Sequence, residues 1–234
     1  MQKHLHSELK KEFQLERMLF FSDAVFAIAI TILIIEIKVP DLGDKVTDAA
    51  LLTELYNLLP KFFGFFVSFV LIGMYWSVHH RMFGFVTDYT RRLIWINLFF
   101  LFFIVLMPFA TGFYGEYAGH ELYDKQLKVP MTFYVLNVCA VGVFNYILWR
   151  YVSNKKNNLL DPSVDPIVIK MGRTRSLVVP IIFFSMLPVA YFIHVLAAVY
   201  VPMFIPLVMK IINRWYAKKI KGVPEIQLSE PPAV

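Results

Sequence analysis

The stretch FSDAVFAIAITILIIEI, residues 21–37, decides the fold class of this chain. It is apolar over close to the ~20 residues that a helix needs to cross the hydrocarbon core of a bilayer. It nevertheless carries Asp23 near one end and Glu36 near the other. An ionised carboxylate near the bilayer centre costs at least about 2.5–3.5 kcal/mol, so acids in such segments usually face protein, water or an ion. The stretch therefore predicts a membrane helix and is the first place to look for function.

The composition of the whole chain also favours a helical membrane protein. Of its 234 residues, 58% are hydrophobic and 17% are charged, whereas soluble domains average about 45–50% apolar and about 25% charged residues. The apolar residues fall in long blocks and do not alternate with polar ones. The single cysteine, Cys139, lies inside one of these blocks, which excludes a disulfide framework and a paired-cysteine metal site.

Six apolar blocks each have about the length of a membrane span. They are predicted at Met18–Ile37, Phe62–His79, Leu93–Phe113, Val129–Trp149, Ser176–Phe192 and Val195–Met209. The last two come from dividing one long block at His194, and a long tilted helix with a re-entrant piece is the alternative. The expected organisation is a cytoplasmic segment over 1–17, a six-helix membrane domain over 18–210 and a cytoplasmic tail over 211–234. The first seventeen residues lack the layout of a signal peptide, and the proline-rich end of the tail is expected to be disordered.

The positions of the basic residues predict the orientation of the spans. With the N-terminus in the cytoplasm, 18 of the 23 Lys and Arg residues fall in cytoplasmic segments and 5 in outer ones. This positive-inside bias places both termini in the cytoplasm of a multi-pass membrane protein. The basic charge therefore indicates orientation in a lipid bilayer and not a nucleic-acid partner. The sequence has no glycine-rich phosphate loop, metal-spaced His/Cys cluster or nucleophile–base arrangement, so neither an enzyme nor a metal or cofactor is predicted.

Polar residues of the first three spans are predicted to meet at one depth in the membrane. Because the spans alternate in direction, the start of the first, the end of the second and the start of the third lie at the same level. Such groups can satisfy one another and hold helices in register, and a structural cluster near the headgroups is the alternative. The residues at this level are Ser22, Asp23, Trp76, His79, His80, Trp95 and Asn97.

A helical wheel at 100° per residue gives the first span two different sides. Three isoleucines and a threonine share one side, opposite Ser22 and Asp23. They are Ile28, Thr31, Ile32 and Ile35. If the serine and the aspartate face the bundle of their own chain, this side meets lipid or other copies of the chain. Periodicity does not choose between the two, because apolar residues cover the remaining surface of the helix as well.

The motif R-x-x-x-F-S-D at residues 17–23, followed by AVFAIAITILIIEI, resembles the first-helix signature of the transmembrane protein 175 channels. These are potassium channels of lysosomes, with single-repeat relatives in bacterial cell membranes. The W-x-x-H-H end of the second span, residues 76–80, and the W-x-N start of the third, residues 95–97, are similar to that family too. The resemblance implies an all-α homotetramer whose first helices line a central pore for potassium and other monovalent cations, without a cofactor.

The resemblance also implies roles for single residues. The family's hydrophobic constriction falls on Ile28, Ile32 and Ile35, and a hydroxyl that aids selectivity falls on Thr31. The residues given a structural role are Arg17, Phe21, Ser22, Asp23, His79 and Asn97, with His80 open as the alternative to His79. Glu36 is expected either to draw cations toward the outer mouth or to be a plain interfacial carboxylate.

The implied channel differs from those with a carbonyl selectivity filter, since no TVGYG-like run is present. Rings of isoleucine would form an apolar neck that gates by dewetting. Such a neck favours potassium over sodium modestly, because potassium loses its water more readily. The alternative function is a proton-coupled secondary transporter or a proton-permeable channel that uses Asp23 and His79. No chain of ionisable residues crosses the spans to support that alternative.

Overall fold

A computed structural model describes residues 2–43, 46–117 and 127–219, with side chains from Glu12 to Ala217. Over these ranges the fold is all-helical, and its one β contact is an isolated bridge between Val86 and Leu160. The α-helices are α1 Gln2–Ile32, α2 Asp48–Asn57, α3 Leu59–Phe83, α4 Arg91–Glu116, α5 Val129–Val152, α6 Pro166–Phe192, α7 Val195–Val199 and α8 Ile205–Lys219. Short 3-10 turns follow α1 at Leu33–Glu36 and join α7 to α8 at Val201–Phe204.

Six helical segments of the described chain are long and apolar enough to cross a membrane, which confirms the six predicted spans. They are Glu12–Glu36, Leu59–Phe83, Arg91–Glu116, Val129–Val152, Pro166–Phe192 and Val195–Ala217. The division at His194 is also found, because its Nδ1 accepts the Leu196 N–H over 3.1 Å and starts α7.

Three helix boundaries differ from those predicted. Helix α6 begins at Pro166 and not near Ser176, because Asp165 accepts the Ile167 N–H over 2.6 Å as an N-cap and proline suits the first helical turn. Helix α8 continues to Lys219 through residues expected to begin the tail. Helix α1 runs unbroken from Gln2 into the first span, and the division of the chain after residue 17 stays a prediction. The proline-rich end of the tail lies outside the described residues.

The order of packing follows the chain. Helix α1 packs against α3 and α4, α4 against α5, α5 against α6, and α6 against α8. Helices α5 and α6 approach each other closely, since a Cβ on Gly142 would lie 2.6 Å from the ring of Pro180. Small residues let membrane helices approach closely, and this replaces the hydrophobic driving force that lipid does not provide.

Two buried polar contacts show that α3 and α4 run antiparallel. Near one end of the pair, His79 contacts Asn97, and near the other end the hydroxyl oxygens of Ser68 and Thr111 are 2.7 Å apart. Tyr134 of α5 joins the second contact, with its hydroxyl 3.0 Å from Ser68 Oγ. The late turns of α3 therefore lie at the level of the early turns of α4, which sets the level of the candidate site.

Candidate ion pathway and the polar cluster beside it

Helix α1 and the turn after it have one buried side and one exposed side. The buried side packs against α3 and α4 and consists of Leu15, Ser22, Phe26, Ala29 and Leu33, each at most 8% exposed. The exposed side carries residues spaced alternately by four and three, which we call the α1 seam. It consists of Arg17, Phe21, Ala24, Ile28, Thr31 and Ile35. This spacing is the a/d repeat with which helices pack against copies of themselves.

The isoleucines singled out in the sequence all face away from their own subunit. Ile28 is 57% exposed and Ile35 is 71% exposed, while Ile32 lies beside the seam at 38%. Thr31 is exposed between them, and its hydroxyl oxygen lies 3.0 Å from the Ala27 carbonyl and 2.9 Å from the Ile28 carbonyl. The hydroxyl proton is therefore donated back to the helix. The Thr31 oxygen can therefore act only as a hydrogen-bond acceptor or cation ligand on the exposed side of α1.

The outer end of α1 turns Glu36 away from the seam. The 3-10 turn Leu33–Glu36 changes the direction of successive side chains relative to the α-helical wheel. As a result the Glu36 carboxylate packs against Gly112 of α4, where a Cβ would collide with it. Lys61 of α3 lines the same small pocket. The structure thus places Glu36 between α1, α3 and α4 of its own chain and not on the exposed side of α1.

Three buried polar side chains join α1, α3 and α4, and we call them the Ser–Asn–His cluster. Asn97 Nδ2 donates to Ser22 Oγ over 2.9 Å, and Asn97 Oδ1 lies 2.8 Å from His79 Nε2. Because an amide oxygen only accepts, the hydrogen-bond network assigns the proton to Nε2 of His79. Ser22 in turn donates to the Met18 carbonyl over 2.8 Å. All three members are at most 1% exposed.

Aromatic rings enclose the histidine of this cluster. The imidazole of His79 stacks on Phe100 at 5.5 Å between centroids and lies 4.4 Å from the ring of Phe83. His80 is exposed and stacks on Trp76 instead, so the structure places His79 and not His80 with Ser22 and Asn97.

Asp23 takes its partner from a different residue of α3. Trp76 Nε1 donates to Asp23 Oδ1 over 2.9 Å at the edge of the buried region. Within the described residues, no hydrogen bond or ion pair joins Asp23 to His79, the pair on which a transporter would depend. The sequence placed Trp76 at the right depth without identifying it as the partner of Asp23. The signal for this bond in the sequence was the indole N–H of Trp76, one helical turn before His79, because it can donate to a carboxylate.

The first residues of the predicted motif lie at the surface. Phe21 is 53% exposed, and Arg17 is exposed with its guanidinium 5.7 Å from the ring of Phe13 on the same helix. In the part of the chain that the structure describes, Arg17 makes no ion pair with a carboxylate. Residues 12–43, 46–117 and 127–219 also contain no group of three or more His, Cys, Asp or Glu placed to hold a metal ion.

These features define a multi-pass helical membrane protein whose first span leaves a seam uncovered. Residues 17–108 match the family model described as endosomal/lysosomal potassium channel TMEM175. A potassium channel of Streptomyces collinus (strain DSM 40733 / Tue 365) is 34% identical over 155 residues, which are 66% of this chain and 72% of that protein. The chain therefore belongs to the TMEM175 family of ion channels, which confirms the resemblance.

Two further relatives extend the comparison. A crystal structure of a lysosomal potassium-selective channel TMEM175 homolog from Chamaesiphon minutus superposes with a TM-score of 0.67 at 25% identity. The match covers 88% of this chain and 97% of that one. The endosomal/lysosomal proton channel TMEM175 of Gallus gallus is 33% identical over 156 residues, which are 63% of this chain and only 30% of that protein. The chain thus spans less than a third of that vertebrate relative.

Proposed function

We propose that this chain forms a potassium-permeable channel as a homotetramer whose pore is lined by the α1 seam. The observation that carries the proposal is the uncovered seam itself, since its heptad spacing suits packing around an axis against copies of α1. The Streptomyces relative is named a potassium channel, which supports potassium as the permeant ion. The positive-inside count supports a cell-membrane orientation with both termini in the cytoplasm.

In this pore, Ile28 and Ile35 of the seam and Ile32 beside it form the narrow apolar section. An apolar ring offers an ion no replacement for the water it loses, so the neck dewets when it is closed and is crossed most easily by ions that dehydrate readily. Potassium passes in preference to sodium for that reason, and the preference is modest. The outward oxygen of Thr31 provides partial compensation between the rings.

The polar contacts beside the pore hold α1 in the orientation that the pore needs. The Ser–Asn–His cluster fixes the buried side of α1 against α3 and α4, and the Trp76–Asp23 bond adds a contact at the edge of the same interface. Rotation of α1 about its axis would break these bonds and turn the seam toward lipid. In the unrotated orientation, Arg17 and Phe21 lie at the inner end of the seam and are available to contact neighbouring subunits.

Proton permeation is the second candidate function. The name of the Gallus gallus relative, a proton channel, favours it. An apolar neck also suits both candidates, because a proton needs only a transient file of water to cross it. Proton flux would persist in liposomes with equal potassium on both sides and a pH gradient across the membrane, whereas potassium current would not.

Reversal potentials test the proposed pore directly. The full chain is reconstituted into planar bilayers with potassium on one side and sodium on the other, as wild type and as Ile28→Ala. The widened neck of Ile28→Ala is expected to move the reversal potential toward zero. Ile181→Ala is the matched control, because Ile181 of α6 is also exposed, at 63%, but lies outside the seam. An unchanged reversal potential in Ile28→Ala, with intact conduction, would contradict the assignment of the pore to α1.

A further inference from the structure

A cavity of about 720 Å³ lies where α5 ends and α6 begins, and none of its lining residues belongs to α1. Its walls come from the last turn of α5, the loop over residues 153–165 and the first turns of α6. Because these two helices are consecutive spans, we expect the cavity to lie at the membrane boundary, where their apolar segments give way to the connecting loop.

The cavity carries an excess of positive charge. Lys155, Lys170 and Arg173 line it, and in the described part of the chain none of the three pairs with a carboxylate. Both Nε and Nη2 of Arg173 donate to the hydroxyl oxygen of Ser153, at 3.0 and 2.6 Å, so a neutral partner holds the guanidinium in place. Asp161 is the one carboxylate in the lining, and hydrogen bonds from Ser163 lower its pKa. It therefore stays ionised and offsets one of the three cations.

The loop that forms the outer wall is fixed before any ligand arrives. Its backbone is bonded to the α3–α4 connection twice, from Thr87 N–H to the Leu159 carbonyl and from Asp161 N–H to the Phe85 carbonyl, each over 2.9 Å. Asn157 Nδ2 also donates to the Tyr151 carbonyl over 2.7 Å at the end of α5. A preformed wall avoids the ordering free energy that a mobile loop would lose on binding.

Apolar side chains make up much of the remaining lining, beside Ser153, Asn154 and Asn158, and they select the kind of anion. Val152, Leu159, Leu160, Val164 and Ile169 lie in the lining together with the cations. A small inorganic anion would leave this apolar surface uncovered. An amphiphile whose phosphate is attached to hydrocarbon would meet both kinds of wall, and basic pockets between membrane helices are known to suit anionic lipid headgroups.

We propose that this cavity binds an anionic phospholipid. Its phosphate lies among Lys155, Lys170 and Arg173, and its glycerol and the first acyl carbons lie along the apolar wall. The same loop is bonded to the connection that follows α3, so an occupied cavity also stabilises the segment that links the helix of His79 to the helix of Asn97.

The test measures lipid binding by the purified full chain in a non-ionic detergent. Dioctanoyl phosphatidylglycerol is the probe, and dioctanoyl phosphatidylcholine has the same chains without the net charge. We expect the anionic lipid to bind at least tenfold more tightly than the zwitterionic one. Lys155→Gln/Lys170→Gln should weaken its binding at least tenfold, while Lys156→Gln, which alters the neighbouring exposed lysine outside the lining, should change it less than twofold.

Each contrary result overturns the proposal. Equal binding of the two lipids, unchanged binding by the double variant, or equal weakening by Lys156→Gln would reduce the effect to general surface charge. Complete displacement of the lipid by millimolar inorganic phosphate would show that a free anion is the ligand. Lys155 and Lys170 are exposed and the double variant leaves the Arg173–Ser153 bonds intact, so it is expected to fold. Each single variant, with about a threefold weakening expected, repeats the test independently.

Discussion

The indole Nε1 of Trp76 donates a hydrogen bond to Oδ1 of Asp23 over 2.9 Å and so connects α3 to α1. The bond engages one of the two acids of the first span, and it lies within the subunit at the level of the Ser–Asn–His cluster. A carboxylate that coordinates an ion would have to face the proposed pore. Asp23 instead binds a residue of its own chain.

Removing either partner of this bond should weaken the attachment of α1. A hydrogen bond to a charged group contributes about 1.5–3 kcal/mol when buried, and partial exposure of Trp76 reduces the expected effect to about 1 kcal/mol. Asp23→Ala and Trp76→Phe should each lower the melting temperature in detergent and the tetramer fraction in size-exclusion chromatography. Trp95→Phe is the control, since Trp95 is 54% exposed and contacts the ring of Phe99. Full assembly and normal conduction in Asp23→Ala would remove its proposed role.

Asn97 is expected to be more sensitive than Asp23. The substitution Asn97→Leu keeps the volume but leaves the buried Nε2–H of His79 without an acceptor, at a cost of about 1–3 kcal/mol for the donor. The loss of the bond to Ser22 adds to this. Asn137→Leu is the matched control, because Asn137 is also buried but has one hydrogen bond, of 3.2 Å, to the Phe103 carbonyl. Similar melting temperatures for the two variants would show that the cluster adds no special stability.

Gly112 and Gly73 offer a matched pair of substitutions. Alanine in place of glycine stabilises a helix interior by up to about 1 kcal/mol when there is room for the methyl group. A Cβ on Gly73 would have no other atom within 4 Å, so Gly73→Ala should be neutral or stabilising, whereas Gly112→Ala collides with the Glu36 carboxylate. Because the carboxylate ends a flexible side chain, we expect Gly112→Ala to move Glu36 away from α4 and to have a lower melting temperature than Gly73→Ala. Glu36→Ala should remove this difference between the two glycine substitutions, and failure of the rescue would contradict the contact.

Thr31 provides a test of what the hydroxyl contributes to conduction, with the size of the neck unchanged. Thr31→Val keeps the shape and removes the oxygen, so potassium conductance should fall several-fold, while Thr31→Ser keeps the oxygen and should remain close to wild type. Thr53→Val is the control, because Thr53 of α2 makes the same bond to a carbonyl four residues earlier, Ala49, over 2.9 Å. Single-channel recording measures the conductance of each variant, and equal conductance of Thr31→Val and wild type would exclude a contribution from the hydroxyl.

The spans could be predicted because bilayer thickness fixes a length that the apolar blocks meet. The apolar pattern starts α6 about ten residues late, because the first turns of this helix contain Lys170, Arg173 and Arg175, which belong to no apolar block. Their helicity depends on the Asp165 cap and on contacts with α8, such as the bonds from Arg175 to Asn213 Oδ1. Hydropathy shows which residues suit the lipid bilayer, but it does not show at which residue a helix begins.

The sequence predicted which side of α1 each residue of the candidate site lies on, but not which residue binds Asp23. The wheel put Ser22 opposite Ile28 correctly, because a regular helix fixes relative angles. It gave no means to choose between Trp76 and His79 for Asp23, since they lie nearly one turn apart on the same helix. The helical wheel could not place Glu36 for another reason. The backbone changes from an α-helix to a 3-10 turn at Leu33, so a spacing of 100° per residue no longer applies.

That 3-10 turn also sets the vertical spacing of the isoleucines. Ile28 and Ile32 are four α-helical residues apart, which corresponds to about 6 Å along the axis. Ile32 and Ile35 are only three residues apart, but the turn Leu33–Glu36 rises about 2 Å per residue and again gives about 6 Å. In the proposed pore the isoleucine rings therefore form a ladder with equal steps, and Thr31 lies between the first two rungs. An ion would cross three apolar rings at equal intervals and would meet the threonine oxygens after the first of them.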